Sequence, residues 1–573
     1  MTMIARAASL ALLAAATGAP LAASGQESFA GSYLAGAQAA KRGDVEAAAR
    51  YFSRALDRSP GDLALGEQTL LYLTAAGRME QAEALAERMI VFDPTQRLAS
   101  LVLVTAEMRG GENEAAARRI EAAPAAFHPL LRDLLSTWVK AAGGDEEGAR
   151  AMLDSVEGPP VFRVFAAYHL ALLSLSSGDA TGAAEAFGRL SEDMPRLGGR
   201  MARAEAAALF GVGNADEARE KLEAAASRVL GDAAIEADLA FMEKGEAPPL
   251  LVRTASEGAA EAFYGLAAAL GQEPDDRLSL VYARLASWLR PDLDEAKLLV
   301  AEVMEGTEQF EAAVRAYETI PPDSPYARAA EIGRAEALFR MDRADEAAEA
   351  LKALTRRAPD ALEAHIALGD ILRRTERFRE AAAAYDAATN IAESAGRANW
   401  ALYYQRAISY ERSQQWEKAE ADFFKALELE PDQPLVLNYL GYSWLERRER
   451  LDEAMDMIRK AVAARPEDGY IVDSLGWGFF LLEDYPAAVR ELQRAVELRP
   501  VDPVINDHFG DALWMVGRKR EAEFQWRRAL SFDPEEKDRE RIRRKLDVGL
   551  DVVRAEEVAA EAAPETPRAA DGG

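Results

Sequence analysis

Apolar side chains along this chain recur with helical spacing, in pairs of segments separated by short polar turns. Residues 470–482, "YIVDSLGWGFFLL", place apolar residues three and four positions apart, which predicts a helix. A turn, "EDY", follows, and residues 486–498, "PAAVRELQRAVEL", have helical spacing again. Pro486 suits the start of the second helix, because an N–H there would have no intrahelical partner. The pattern therefore predicts a helix, a short turn and a second helix.

This predicted helix pair recurs with a nearly constant period. Prolines that follow the second helix are spaced by 34 or 35 residues in three parts of the chain: Pro60 and Pro94; Pro291, Pro325 and Pro359; Pro431, Pro466, Pro500 and Pro534. One helix pair cannot bury its apolar face alone, so several pairs must stack on one another. We therefore expect an all-α solenoid, or superhelix, of helix-turn-helix units.

Small residues occupy the positions where the two helices of a pair should cross. Gly476 and Ala488 would allow close approach of the two backbones, and Leu475, Phe479 and Leu492 would fill the space between neighbouring pairs. The types of these residues therefore follow from close packing of paired helices.

These recurring residues resemble the tetratricopeptide repeat (TPR) family. The skeleton occurs in one phase along much of the chain, as Leu475-Gly476-x-x-Phe479 with Ala488-x-x-x-Leu492-x-x-Ala495 and Pro500, as Leu440-Gly441-x-x-Trp444, as Leu368-Gly369-x-x-Leu372 with Ala381-x-x-x-Tyr385, and as Ala48-x-x-x-Phe52-x-x-Ala55 with Pro60. The resemblance implies a solenoid whose concave groove holds extended peptides or helices of partner proteins.

The predicted organisation has six parts. A positive Arg6 followed by a short apolar run and small residues is typical of a cleaved signal peptide. Pro248 and Pro249 interrupt the repeat phase, and a solenoid needs a polar helix to cover its last apolar face. We expect a signal peptide at 1–25, a partly degenerate TPR-like array at 26–230, an irregular junction at 231–259, a second array at 260–534, a capping helix at 535–556 and a disordered tail at 557–573.

Charge and composition narrow the classes of partner. The formal net charge of −29 disfavours nucleic acid and anionic lipid, because like charges repel. The absence of cysteine excludes disulfides, thiolate metal sites, a cysteine nucleophile and the acceptor of a bacterial lipid anchor. No run after the signal peptide has the length of a spanning helix. We expect an exported protein of the periplasm or cell envelope that is not a lipoprotein and has no integral membrane span.

The residues that could support catalysis or metal binding are scattered. The four histidines, His128, His169, His365 and His508, lack the spacing of metal ligands on one helix. No phosphate-binding glycine loop, dinucleotide fingerprint or nucleophile elbow occurs. The sequence therefore predicts no enzyme, no cofactor and no metal, with an active site assembled across several repeats as the alternative.

One stripe of each first helix is the candidate protein-binding surface. Residues three, four and seven apart share a stripe, and the stripe beside the packed one lines the groove in TPR arrays. In the last three repeats, the predicted groove residues are Asn438, Tyr442, Asp473, Trp477, Phe480, Asp507, Asp511 and Trp514. Trp444 and Trp526 fall on core positions instead. The alternative for Trp477 and Trp514 is that they pad the groove or contact the capping helix.

Acidic side chains on this stripe indicate the chemistry of the partner. TPR grooves that clamp a partner's terminal carboxylate use lysine, arginine and asparagine, whereas Asp473, Asp507 and Asp511 stand in such places here. The acids therefore disfavour a carboxylate clamp and favour a neutral or basic ligand segment.

The C-terminal array has a closer resemblance. The runs "LNYLGYSW", "DSLGWGFF" and "HFGDALW", after an export signal, are similar to TPR proteins of the proteobacterial envelope. These include lipoprotein adaptors that bind a periplasmic carboxyl-terminal processing protease and present cell-wall hydrolases to it. The resemblance implies an exported scaffold or adaptor for such a protease or hydrolase. An assembly factor for a secretion, pilus or polysaccharide-export machine is the alternative.

Overall fold

The computed structural model describes residues 28–193, 198–228, 232–271 and 277–562, and these ranges contain 31 α-helices and no strand. The predicted all-α repeat fold is confirmed. The predicted signal peptide lies outside the described residues. No helix in the described ranges has the length and apolar character needed to cross a bilayer.

The chain forms two compact units, residues 1–346 and 347–573. In unit 1, the helices are α1 (Phe29–Lys41), α2 (Val45–Leu56), α3 (Leu63–Ala75), α4 (Met79–Phe92), α5 (Arg97–Arg109), α6 (Asn113–Ala122), α7 (Pro129–Ala142), α8 (Glu146–Asp154), α9 (Pro160–Ser176), α10 (Ala180–Asp193), α11 (Gly199–Gly211), α12 (Ala215–Ala226), α13 (Ala233–Glu243), α14 (Ala255–Leu270), α15 (Arg277–Leu289), α16 (Asp294–Gly306), α17 (Phe310–Tyr317) and α18 (Ala327–Arg340). A short 3₁₀ turn, Pro124–Ala126, precedes α7.

The division between the units falls within α19 (Ala344–Arg357). Unit 2 continues with α20 (Leu362–Arg374), α21 (Phe378–Ser394), α22 (Trp400–Arg412), α23 (Trp416–Leu429), α24 (Pro434–Arg447), α25 (Leu451–Ala464), α26 (Gly469–Leu481), α27 (Tyr485–Leu498), α28 (Pro503–Met515), α29 (Lys519–Ser531), α30 (Glu536–Val548) and α31 (Leu550–Ala562).

The helix pair α26–α27 shows why the local sequence folds this way. The Asp484 side chain accepts a hydrogen bond from the backbone N–H of Ala487 and so caps α27. A Cβ added to Gly476 would lie 2.6 Å from Cγ of Leu492, and Ala488 is fully buried. The predicted crossing of the two helices at small residues is confirmed.

Large aromatic residues fill the space between successive pairs in unit 2. Trp444 and Trp526 are fully buried, as their predicted core positions require. The indole N–H of Trp444 donates to Glu420, and that of Trp526 donates to Asp511. These bonds satisfy the one polar group of each buried indole.

The C-terminal cap differs from the single helix predicted at 535–556. The helix is interrupted at Gly549, which separates α30 from α31. The φ of Gly549 is 89°, a value that glycine adopts readily and that other residues disfavour. The second helix continues to Ala562, so the expectation of disorder from residue 557 is wrong for 557–562. Residues 563–573 lie outside the described residues.

The predicted junction at 231–259 contains α13, a stretch without regular secondary structure at 246–254, and the start of α14. Arg290 donates to the carbonyl of Leu251 at 2.6 Å and holds the irregular stretch. The two compact units divide elsewhere, at residue 346. The predicted boundaries of the repeat arrays concern repeat phase and stay a prediction.

Unit 1 curls so that its late helices pack against its first ones. Helix α15 contacts α3 and α5, and α14 contacts α7. Arg284 on α15 donates to the carbonyl of Ala75 at the end of α3, 3.2 Å away. Burial lowers the pKa of Arg284 to about 10. This closure encloses a cavity among helices that are distant in sequence.

Candidate protein-binding groove

The predicted groove residues lie on the first helices of three successive repeats, α24, α26 and α28. Glycines on their packed stripes bring the second helices close: a Cβ on Gly441 would lie 2.8 Å from the carbonyl oxygen of Ala454, and one on Gly510 would lie 2.5 Å from the Trp526 ring. Because these faces are buried in the pair, the neighbouring stripe of each first helix is left for other contacts.

Trp477 lies at the centre of an aromatic cluster, which we define as Trp477, Phe480 and His508. Its ring is stacked on Phe480 with centroids 4.6 Å apart, and on His508 with centroids 4.0 Å apart. Trp477 is half-buried and Phe480 is buried. The structure thus brings two predicted groove residues together with a histidine that the sequence did not place there.

His508 also binds Asp473. The Nδ1 atom of His508 lies 3.0 Å from Oδ2 of Asp473, a residue of the preceding repeat. Burial lowers the pKa of His508, but attraction to Asp473 and the hydrogen bond outweigh that effect, so the pKa lies above its usual value. The pair therefore orients the imidazole against Trp477.

Asp507 and Asp511 enclose the ammonium group of Lys545 on α30. Nζ of Lys545 lies 2.7 Å from Oδ2 of Asp507 and 2.6 Å from Oδ1 of Asp511. Lys545 is 1% exposed, and Arg541, one turn earlier, lies 3.4 Å from both carboxylates. Burial raises the pKa of Asp507, and Lys545 opposes the shift. Both acids are therefore matched by cations of the chain itself.

Trp514 lies under the C-terminal helices. Its indole N–H donates to Asp551 of α31 at 2.9 Å, and its ring lies 5.3 Å from that of buried Trp526. Nζ of Lys519 lies 4.3 Å from the Trp514 ring centroid. Of the two uses considered for this residue, contact with the capping helices is the one the structure shows.

Asn438 and Tyr442 remain half-buried on α24. Oδ1 of Asn438 is buried without a hydrogen-bond partner among the described residues. Burial, and next the charges of Glu446 and Asp473, raise the pKa of Tyr442 well above its usual value. These contacts place Tyr442 near Asp473, and so beside the repeat that carries the aromatic cluster.

Seven of the eight predicted residues therefore fall into two groups, and the eighth, Asp473, pairs with His508. Asp507, Asp511 and Trp514 are engaged by α30 and α31, and Phe480 has the guanidinium of Arg554 over its ring, 5.5 Å from the centroid. The open stretch of the groove, which we define as Asn438, Tyr442 and Trp477, lacks such a cover among the described residues.

Sequence reasoning missed the intramolecular cations. Arg541 and Lys545 are four residues apart and so share one face of α30, which was a usable signal for a basic stripe. The sequence did not show which acids this basic stripe contacts, because Lys545 is 34 residues from Asp511 and 38 from Asp507. The expectation that these acids favour a neutral or basic partner segment stays a prediction, although Lys545 and Arg541 balance the charge of Asp507 and Asp511.

Stacked helix-turn-helix pairs define the class of α-helical repeat proteins. The tetratricopeptide repeat family model matches residues 33–97, 332–398 and 404–469. These three segments of the chain therefore carry tetratricopeptide repeats. These repeats imply a protein-interaction scaffold, and proteins built of such repeats are generally not enzymes.

The chain is similar to parts of several known proteins. The TPR repeat-containing protein PA4667 of Pseudomonas aeruginosa is 33% identical over 110 residues, which are 19% of this chain and only 18% of that protein. A tetratricopeptide repeat protein from Parabacteroides merdae has 14% identity and a TM-score of 0.38, over 45% of this chain and 98% of its own. PilF of Pseudomonas aeruginosa has 18% identity and a TM-score of 0.29, over 35% and 87%.

Proposed function

We propose that the chain is an exported scaffold that holds a segment of a partner protein on the open stretch of the unit 2 groove. The observation that carries this proposal is the half-buried Trp477 ring, stacked between Phe480 and His508 next to Asn438 and Tyr442. Trp and Tyr supply much of the binding energy at protein interfaces, because a rigid ring buries a large area at little entropic cost.

A buried acceptor without a hydrogen-bond partner also supports binding at the open stretch. Oδ1 of Asn438 has no donor among the described residues, and a buried acceptor without a donor costs about 1–3 kcal/mol. A backbone N–H of a bound segment would satisfy it after a small rotation of the amide. An extended peptide offers such donors at regular intervals.

The ion pairs of the groove acids bear on the charge of the partner segment, which the sequence predicts to be neutral or basic. Lys545 and Arg541 balance Asp507 and Asp511, and His508 pairs with Asp473. The three predicted groove acids are thus paired within the chain, so a neutral segment with one large apolar anchor fits best.

Export and the adaptor role complete the proposal. The positive and apolar segments at 1–25 support a cleaved signal peptide, and the TPR architecture fits an adaptor for a periplasmic protease or cell-wall hydrolase. N-terminal sequencing of the native protein tests export: a mature chain that starts near residue 26 is expected, and Met1 on soluble native protein would contradict it.

Site-specific photo-crosslinking tests the groove in cells. A photoreactive phenylalanine analogue at Tyr442 is expected to capture an envelope protease or hydrolase, and Trp477→Ala in the same chain should reduce that capture. The analogue at Phe524, which is 60% exposed on α29, is the matched control. Capture of the same proteins from both positions would contradict binding in the groove, and capture of a secretion or pilus component would replace the adaptor role.

A further inference from the structure

The first turn of α31 lies against groove residues of α26 and α28. A Cβ at Gly549, which precedes α31, would lie 2.6 Å from the ring of Trp514, and Asp551 accepts a hydrogen bond from the indole N–H of that residue at 2.9 Å. The guanidinium of Arg554 lies 5.5 Å from the centroid of the Phe480 ring. Helix α31 therefore covers a part of the groove, which we define as the covered stretch, Phe480 and Trp514.

Two apolar side chains anchor this first turn. Leu550 is fully buried within the core of unit 2, and Val553, three residues later, is 4% exposed. Because residues three apart share one face of a helix, the first turn directs both side chains into the protein. The covered stretch is therefore occupied by the start of an amphipathic helix.

The rest of α31 is attached by surface contacts. The side chains of residues 555–559 are exposed. Glu556 pairs with Arg544 at 2.6 Å and Glu557 pairs with Arg541 at 2.7 Å, and both glutamates are exposed to water. Ion pairs of exposed side chains contribute little to stability, because water and salt screen the charges. The first turn is therefore the main attachment of α31.

Helix α30 is attached more firmly. Ile542 and Lys545 are each 1% exposed, and Lys545 is enclosed by two carboxylates of α28. Gly549 therefore separates a helix with a buried charge cluster from a helix of 13 residues that is held mainly by its first turn. Isolated helices of this length are marginally stable in water, and segments with few buried contacts open at a lower free energy than the core.

We propose that α31 is a displaceable lid, which lifts at Gly549 while α30 stays in place, and that an amphipathic helix of a partner protein then binds to the covered stretch. The partner helix has the pattern of α31 itself: two apolar residues three apart, followed by acids that pair with Arg541 and Arg544. The opening of α31 is a property of this chain alone, whereas the place of a partner rests on the proposed function.

Hydrogen exchange of the full chain tests the opening. Amides of α31 are expected to exchange about a hundredfold faster than those of α28 and α30, because local opening exposes them without unfolding of unit 2. Equal protection of α30 and α31 would overturn the lid.

A peptide added to the full chain tests the occupant. The probe is the α31 segment itself, residues 549–562, "GLDVVRAEEVAAEA", with a fluorescent label, and its binding is measured by fluorescence polarisation. In the wild-type chain α31 occupies the site, so the apparent affinity for the peptide is reduced to the fraction of chains that are open. Leu550→Asp displaces α31 of the chain, and we expect the peptide to bind this variant about tenfold more tightly.

Val558→Asp is the matched control, because it makes the same kind of change at a position of α31 that is 66% exposed, and peptide affinity should stay as in wild type. A peptide that carries Leu550→Asp and Val553→Asp should bind neither chain. If Leu550→Asp lowers the melting temperature of unit 2, Asp551→Ala combined with Arg554→Ala loosens α31 without a buried charge and should give the same result. Equal peptide affinity for wild-type and loosened chains, or no saturable binding to the loosened chains, would overturn the proposal.

Crosslinking in cells separates the lid from the proposed function. A photoreactive phenylalanine analogue at Phe480 is expected to capture the protein that Tyr442 captures, severalfold more in the Leu550→Asp chain than with wild-type α31. Equal capture from Phe480 in the two chains would overturn the partner's place under the lid. No capture from Tyr442 in either chain would contradict the proposed function alone, because the peptide titration needs no partner.

Discussion

Nζ of Lys545 lies 2.6 Å from Oδ1 of Asp511, although 34 residues separate them. The same nitrogen lies 2.7 Å from Oδ2 of Asp507, so one ammonium group joins α30 to two successive turns of α28. The site that would be a free groove in the last repeat is therefore a closed internal contact. The C-terminal helices cap the end of the solenoid. They also occupy the groove positions of the last repeat that a partner segment would otherwise contact.

Lys545→Met should lower the stability of unit 2. Removing one member of a buried ion cluster leaves uncompensated carboxylates, which costs about 3–5 kcal/mol. We expect a clear loss of hydrogen-exchange protection in α28 and α30. Lys537→Met, at an exposed position of the same helix, should change stability by less than about 0.5 kcal/mol. Equal protection in the two variants would contradict the buried cluster.

The Asp473–His508 pair should make stability depend on pH. The pKa of His508 is raised in the folded chain, so the pair contributes its full stabilisation below about pH 6.5, the unfolded value, and loses it as the pH rises through the folded value. Asp473→Asn should therefore destabilise unit 2 more at pH 5.5 than at pH 9. Urea unfolding at the two pH values measures this difference.

The control for that titration is Asp456→Asn, which removes an exposed ion pair with Arg459. Surface pairs contribute about 0–1 kcal/mol, so its effect should be small at both pH values. If Asp473→Asn lowers the free energy of unfolding equally at pH 5.5 and pH 9, the protonation of His508 is not coupled to this carboxylate.

Trp477→Ala should weaken partner binding more than folding. Trp477 is half-buried on the open stretch, and loss of an interface tryptophan costs about 2 kcal/mol or more of binding free energy. Trp526→Ala, at a fully buried position, should cost about 3–5 kcal/mol of folding stability. Melting temperature and partner affinity distinguish the two. The groove assignment is wrong if both variants melt equally early, or if Trp477→Ala binds as wild type.

Trp514→Ala should behave differently from Trp477→Ala. Its indole N–H bonds Asp551, so we expect the substitution to loosen α31 and leave partner binding on the open stretch intact. Hydrogen exchange of α31 together with the affinity measurement checks this. If Trp514→Ala lowers partner affinity while the amides of α31 stay protected from hydrogen exchange, Trp514 belongs to the binding surface after all.

Ala488→Leu tests the helix crossing. Ala488 is fully buried on α27, and a Cβ at Gly476 of the paired helix would lie 2.6 Å from Cγ of Leu492 on α27, so the two helices pack closely. Overpacking should cost about 1–3 kcal/mol, and Ala522→Leu should do the same one repeat later. Arg490→Ala, at an exposed position of the same helix, should cost less than about 0.5 kcal/mol. Equal melting temperatures for Ala488→Leu and Arg490→Ala would contradict the assigned faces.

The sequence by itself determined the repeat and its internal packing. Gly476, Ala488 and Leu492 belong to one helix pair, and their contacts are settled within about 20 residues by helical period and side-chain size. The core positions of Trp444 and Trp526 follow from the same period. Such local relations recur in each repeat, so the pattern that reveals them is strong.

Only the tertiary structure decided which groove residues stay open and where the cavity lies. Lys545 reaches Asp507 and Asp511 because α30 packs back against α28. The turn at Gly549 then brings α31 to Trp514, and no repeat period encodes that path. The cavity of unit 1 lies where α15 meets α3 and α5, helices that are distant from it in sequence. Curvature of this kind is a sum over many interfaces, and no single segment of the sequence contains it.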